Sequence, residues 1–173
     1  MPEPHVLLVD ADDRPVGTAG KQEAHMLGLR HRALSVVLIN HHGEMLVQRR
    51  AAAKYHSGGL WANACCSHPL PDEAPDTAAA RRLGEELGVT SRLRALDVVA
   101  YRADVGNGLI EDEVVHLFVG SHHGDVRPSP EEVSAWSWMS ADALFDDVAQ
   151  EAGRYAPWFR IYLQRLGRTL FTV

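Results

Sequence analysis

Apolar positions along this chain fall into short alternating runs and longer helical-period runs, separated by clusters of glycine, proline and aspartate. His5-Val-Leu-Leu-Val-Asp10, closed by Asp12-Asp-Arg-Pro15, predicts a strand followed by a turn. Residues 17 to 32 are more polar and show only weak helical spacing. Ala33 to Ile39 and Glu44 to Arg50 flank Asn40-His-His-Gly43 and predict a hairpin whose first strand is apolar enough to be central. Asp72 to Asp76 is rich in helix-starting residues, so a helix is expected from Thr77 to Leu87, capped at Asp76 or Thr77 and stopped by Gly88. An interior glycine costs about 1 kcal/mol relative to alanine, so Gly84 predicts a close neighbour at that point. Residues 93 to 105 and Leu109 to Val119, joined through Gly106-Asn-Gly108, predict a second hairpin. Glu132 to Met139 reads as a strand with Trp136 and Trp138 on one face, and Ala141 to Gln150 and Pro157 to Leu166 as closing helices, with Trp158 in the core. That order predicts a mixed sheet with helices packed on it.

The 173 residues suffice for one domain, taken as 1–173, with a full core. A net charge of −6 excludes the basic footprint of a nucleic-acid or anionic-membrane binder. Any anionic substrate must therefore meet locally concentrated positive charge. No apolar run approaches the roughly 20 residues needed to span a bilayer, and Met-Pro-Glu-Pro-His lacks the features of a secretory leader, so a cytoplasmic location without a membrane partner is expected. The only two cysteines are adjacent and cannot build a disulfide framework, which fits reduced thiols.

Chemistry concentrates in Trp61-Ala-Asn-Ala-Cys-Cys-Ser-His-Pro69. Thiols and imidazoles are nucleophiles, proton carriers and metal ligands, so their crowding points to a site. Strand alternation sends Cys65 and Cys66 to opposite faces, so only one of them enters that site while the other packs. Arg49, Arg50 and Lys54, followed by Gly58-Gly59, form a basic patch suited to an anion, although a solvated strand end has the same composition. Arg81 with Glu85 and Arg82 with Glu86 are four apart on the helix and share faces. Glu111 and Glu113 open one strand face that continues as Val115, Leu117 and Val119. Two carboxylates at the mouth of an apolar face suit a cation or a shared proton. His25 and His31 are six apart and can face one ligand only where the chain bends between them.

Arg81-Arg-Leu-Gly-Glu-Glu-Leu-Gly-Val89, with Glu73 upstream, resembles the Nudix box G-x5-E-x7-R-E-U-x-E-E-x-G-U over a loop and helix at about 67–89. Ser67 stands where the leading glycine belongs, and Arg82 replaces a glutamate of the acidic cluster that holds hydrolytic magnesium. Trp61 to Leu70 resembles the W-T-N-T-C-C-S-H-P-L signature of type 1 isopentenyl-diphosphate isomerases, with alanine at Ala62 and Ala64. Lys21 with His25 and His31, Arg49-Arg50 with Lys54, Glu111-Asp-Glu113 and Ala156-Pro-Trp158 extend the likeness from about residue 5 to at least 160.

The resemblance implies a single Nudix-like α+β domain, an α/β/α sandwich with a mixed sheet. It implies interconversion of isopentenyl and dimethylallyl diphosphate through a tertiary carbocation, in isoprenoid biosynthesis. Cys66 would act on one face of the substrate and Glu113 with Tyr101 on the other, and Trp158 would offer its ring to the cation. Zinc or manganese would be held by His25, His31, His68, Glu111 and Glu113. Magnesium would bridge the diphosphate to Glu86, while Lys21, Arg50, Lys54, Ser67 and Arg82 would position the phosphates. A small prenyl diphosphate is then the ligand, with the chain a monomer or homodimer. Two other readings stand beside this one: a Nudix diphosphate hydrolase, favoured by Glu85 and Glu86 and opposed by Arg82, and a metal or redox sensor using the vicinal thiols and histidines.

Overall fold

The computed structural model describes residues 2–173. The chain runs β1 (His5–Val9), β2 (Pro15–Gly20), α1 (Lys21–Leu27), β3 (Arg30–Ile39), β4 (Met45–Arg50), β5 (Trp61–Asn63), β6 (Cys65–Ser67), α2 (Pro75–Leu87), β7 (Leu93–Gly106), β8 (Leu109–Ser121), β9 (Val133–Met139), α3 (Ala141–Gln150) and α4 (Pro157–Leu166).

β3 is the spine. Along one edge it pairs in parallel with β8 from Arg30–Asp112 to Ile39–Ser121. Its other edge is shared in succession by β1 at His31, β6 at Leu34 to Val36 and β4 at Ile39. A strand paired on both edges and covered on both faces has no polar side to offer, which accounts for its continuous apolar run. Leu34, Val36 and Leu38 face Ala78, Ala79, Leu83 and Leu87 of α2, whereas Ala33, Val37 and Ile39 face Leu144 of α3 and Phe159, Tyr162 and Leu163 of α4. Each such aliphatic side chain contributes about 1.5–3 kcal/mol when fully buried. The result is the expected α/β/α sandwich on a mixed sheet.

Several local expectations are corrected. The predicted β3–β4 hairpin is splayed: the two strands meet only at Ile39–Met45, after which β4 turns away to pair with β5 and β9. β6 and β1 occupy the rest of that edge of β3, and β4 finds its longer pairing with β9. α2 begins at Pro75 with Ala74 as its cap, because proline supplies a preset φ and lacks the amide that a capping side chain would satisfy. Gly84 has no close neighbour, so its cost is not offset by packing. β2 lies in a stretch where Gly17 and Gly20 hide the strand signal. Among the described residues, no helix is long and apolar enough to cross a membrane.

Candidate active site

The N-terminal ends of β3 and β8, the β6 segment, α1 and the start of α4 surround one cleft. His25 and His31, both fully buried, come together because α1 ends at Leu27 and Gly28 adopts a left-handed conformation (φ +61°), turning the chain into β3. Their ring centres are consequently 4.9 Å apart, despite a spacing that no straight helix would place on one side. His68 joins them from the end of β6, with ring centres 5.0 Å from His31 and 5.5 Å from His25.

The tautomers follow from the backbone. His25 Nδ1 lies 2.7 Å from the Lys21 carbonyl and His31 Nδ1 lies 2.8 Å from the Leu29 carbonyl, so in the neutral rings both Nδ1 atoms donate. Their Nε2 lone pairs then face inward. Glu113 Oε1 lies 3.2 Å from His31 Nε2, 3.0 Å from His68 Nε2 and 3.8 Å from His25 Nε2, and the His31 and His68 Nε2 atoms are 3.2 Å apart. Acceptors converging on one point repel unless a proton or cation lies between them. The donor atoms of His25, His31, His68 and Glu113 all lie within 4.8 Å of one another, a set that suits a borderline divalent ion. This histidine–glutamate cluster can hold a metal.

Glu111, the fifth expected ligand, sits beside this group and not inside it. Its neighbours are His25 and His56. The Tyr101 hydroxyl lies 2.6 Å from Glu111 Oε2 and 2.9 Å from Glu113 Oε2, tying the two carboxylates together. One phenol proton cannot serve both. Burial and the Glu113 charge push the Glu111 carboxyl well above the usual carboxylate range. Burial also acts upward on Glu113, but protons held between it and the His31 and His68 rings when no cation is bound outweigh burial and hold Glu113 well below that range. Burial and the two carboxylates push the Tyr101 phenol up as well, so it keeps its proton.

Alternation in β6 separates the vicinal thiols. Cys65 packs against α2, while Cys66 faces the cleft. The Cys66 thiol donates to Asn63 Oδ1 at 3.1 Å and receives the Trp158 indole N–H at 3.1 Å and the Ser35 hydroxyl at 3.5 Å. Burial pushes the Cys66 thiol up to about 12, with Ser35 and Trp158 working against it, so it is a thiol and not a thiolate near neutrality. Trp158 is buried, as expected for a core residue, yet it also lines the cleft.

Positive charge is gathered at the mouth. Lys21, Arg50, Lys54, Arg82 and Ser67 all line the cleft. Burial and repulsion by Lys54, Arg50 and Arg82 lower Lys21 to about 8. Arg50 is buried with an unpartnered Nε, and its guanidinium lies 5.0 Å over the Trp158 ring. Arg82 donates to Ser67 Oγ at 2.9 Å, to Glu86 at 2.7 Å and to Glu132 at 3.2 Å, while Lys54 reaches Glu132 at 2.5 Å. Crowded cations with a donor to spare form a receptor for a multivalent anion. Burial raises the Glu86 carboxyl, with the Arg82 guanidinium working against it. The expected helix pairs Arg81–Glu85 and Arg82–Glu86 both form.

Sequence reasoning missed His56, Tyr55, Asn63, Ser35, Tyr162 and Glu132. His56 is 4% exposed and stacks edge-on against Trp158, with centres 5.8 Å apart. Burial and the nearby Arg50 and His25 lower it to about 2, which makes it a neutral imidazole. Its only sequence signal is its place two residues before the Gly-Gly pair.

Residues 29–159 match the NUDIX domain family, and the chain is of that class. A crystal structure from Deinococcus radiodurans superposes with a TM-score of 0.72 at 19% identity, covering 88% of this chain and 91% of the other. A MutT NUDIX hydrolase from Burkholderia pseudomallei gives 0.62 at 22% identity, covering 79% and 97%. These likenesses concern the fold. Closer relatives are the isopentenyl-diphosphate Delta-isomerases of Burkholderia multivorans, 47% identical over 95% of this chain and 94% of that protein, and Dinoroseobacter shibae, 49% identical over 94% and 92%. The chain belongs to the isopentenyl-diphosphate Delta-isomerase family.

Proposed function

We propose that this protein interconverts isopentenyl and dimethylallyl diphosphate by moving a proton across an allylic system. The observation that carries the reading is that Cys66 and the Glu113–Tyr101 pair line one cleft whose mouth is crowded with cations. Shifting an unactivated double bond requires a proton delivered to one terminal carbon and another removed from the far side, with a tertiary cation between. One of the two groups gives the proton and the other takes one, and reversing the reaction exchanges their roles. Both must sit out of bulk water, and both are buried or half-buried.

Lys21, Arg50, Lys54, Arg82 and Ser67 hold the diphosphate and so fix the register of the hydrocarbon tail against the two proton carriers. Displacement of Arg82 from Glu86 and Glu132 by phosphate would free those carboxylates. Trp158 lines the same cleft, and a cation–π contact from its ring to the carbocation would be worth about 2 kcal/mol when desolvated. Neutral Tyr101 keeps a proton within reach of Glu113 without adding charge. When bound, zinc or manganese at His25, His31, His68 and Glu113 with Glu111 alongside would fix Glu113 and tune its basicity, and magnesium at Glu86 would neutralise the diphosphate.

The test is proton NMR of isopentenyl diphosphate in heavy water with magnesium and either zinc or manganese, beside a Cys66→Ala control. Deuterated dimethylallyl diphosphate from the parent and not from the control is the expected result. An intact substrate, or release of phosphate, overturns the assignment.

A further inference from the structure

Three buried polar side chains, Asn63, Ser35 and Tyr162, are joined to the Cys66 sulfur through hydrogen bonds. Asn63 closes β5, and its Nδ2 lies 3.0 Å from the Val36 carbonyl oxygen and 3.0 Å from that of Cys65. Both amide hydrogens are therefore committed. A reversed amide would turn Oδ1 toward two carbonyl oxygens, none of which can donate, so the orientation of the amide is fixed by its partners.

The remaining hydrogens follow in order. Asn63 Oδ1 can only accept, and it lies 3.1 Å from Cys66 Sγ, so the thiol proton points at it. With that proton committed, the sulfur accepts from Trp158 Nε1 at 3.1 Å and from Ser35 Oγ at 3.5 Å. Ser35 has one hydroxyl proton, so its 3.0 Å contact with Tyr162 Oη is a bond donated by the phenol. One chain results, running from Tyr162 through Ser35 and Cys66 to Asn63, with every hydrogen pointing the same way. Hydrogen bonds ordered in this manner reinforce one another.

We propose that Asn63 and Ser35 are positioning residues for the Cys66 proton, Asn63 fixing the direction of the S–H while the proton is on sulfur and Ser35 holding the sulfur once it has left. The inference rests on the reading of Cys66 as a proton carrier. When Cys66 protonates the alkene, the S–H bond breaks, its electron pair stays on sulfur, and the π pair forms the new C–H bond. Trp158 N–H and Ser35 O–H then face the sulfur, and Asn63 loses its partner. When the sulfur takes a proton in the opposite direction, Asn63 receives the new S–H. Asn63 does this from behind the thiol, because it is not among the residues that line the cleft.

Infrared spectra of the full chain test the assignment, with the S–H stretching band that disappears in Cys66→Ala taken as that of Cys66. In Asn63→Ala this band should move up to the position of an unbonded S–H. In the Ser35→Ala, Tyr162→Phe double variant, which removes both hydroxyls and strands neither, it should stay at the bonded position. Both variants should lower kcat by roughly five- to tenfold while KM stays within about twofold, because the diphosphate receptor is untouched. The opposite pattern, a bonded band in Asn63→Ala and an unbonded one in the double variant, would overturn the proposal by placing the proton on Ser35. A KM that rises as far as kcat falls would overturn the positioning role. If Asn63→Ala does not fold, the double variant decides alone, since an unbonded band there has the same force. The infrared readout needs no substrate, so it fails or holds separately from the isomerase reading.

Discussion

His31 Nε2 and His68 Nε2 lie 3.2 Å apart and both point at the same oxygen of Glu113. Without a cation, that geometry requires a proton shared among groups that burial makes reluctant to charge. Burial and the neighbouring His31 lower His68 to about 3, even with Glu113 beside it. A bound divalent ion removes the conflict. Chelator treatment should therefore lower Tm as well as activity, and zinc, cobalt or manganese should restore both, with the stabilisation growing as RT ln(1 + [metal]/Kd). Differential scanning fluorimetry across metal concentrations measures this, and a Tm indifferent to chelator would remove the metal from the centre.

The two cysteines should differ sharply. Cys66→Ala removes a proton carrier and is expected to lower kcat by roughly 10² to 10⁴-fold, leaving the fold intact because a methyl group fits the half-buried position. Cys65 is fully buried, in the apolar cluster that also holds Ala79, Leu83 and Leu87 of α2. Cys65→Ala should cost about 1 kcal/mol of stability while activity stays within a few-fold. Because Cys66 is held protonated up to about 12, iodoacetamide should label the native protein slowly near pH 8 and the denatured protein fast.

Gly28 sets the angle between α1 and β3. Its φ of +61° is a conformation that L side chains rarely adopt, and a Cβ there would meet Arg102 Nη2 at 2.7 Å. Gly28→Ala should cost about 1–2 kcal/mol, which for a domain of this size lowers Tm by about 2–8 °C. The same variant should weaken metal binding, because His25 and His31 lose their relative placement. Gly28→Asn should be milder on both counts, since asparagine tolerates the left-handed region. Thermal melts together with a cobalt titration separate the two effects.

Much of this was legible in the sequence because short-range patterns dictate it. The apolar run of β3, the alternation that separates Cys65 from Cys66 and the proline start of α4 need no tertiary information. What sequence alone hid was decided by distant partners. β3 and β4 splay because β6 and β1 take the rest of the β3 edge that β4 would fill, while β9, remote in the chain, offers β4 a longer pairing. Glu132 gave no local signal, and its role beside Lys54 and Arg82 appears only when the loop before β9 folds over α2. Glu111 shows the same limit, because its place beside the His25, His31, His68 and Glu113 cluster is set by distances that no spacing rule supplies.

Lys21 supplies the clearest pH dependence. Burial first, and then repulsion by Lys54, Arg50 and Arg82, lowers its ammonium to about 8 in the substrate-free protein. A cation with a lowered pKa loses its charge as pH rises through the lowered value, so the diphosphate receptor weakens above about pH 8. A bound diphosphate stabilises the ammonium and raises its pKa again. The expected signature is therefore a fall in kcat/KM above about pH 8 with kcat nearly flat, because kcat/KM reports the free enzyme and kcat the complex. Loss of one charged contact to phosphate is worth about 1.5–3 kcal/mol, so KM should rise at least about tenfold across this limb. Lys21→Arg keeps its charge throughout and should abolish the fall. A basic limb that persists in Lys21→Arg, or that appears in kcat, would assign the titration to another group.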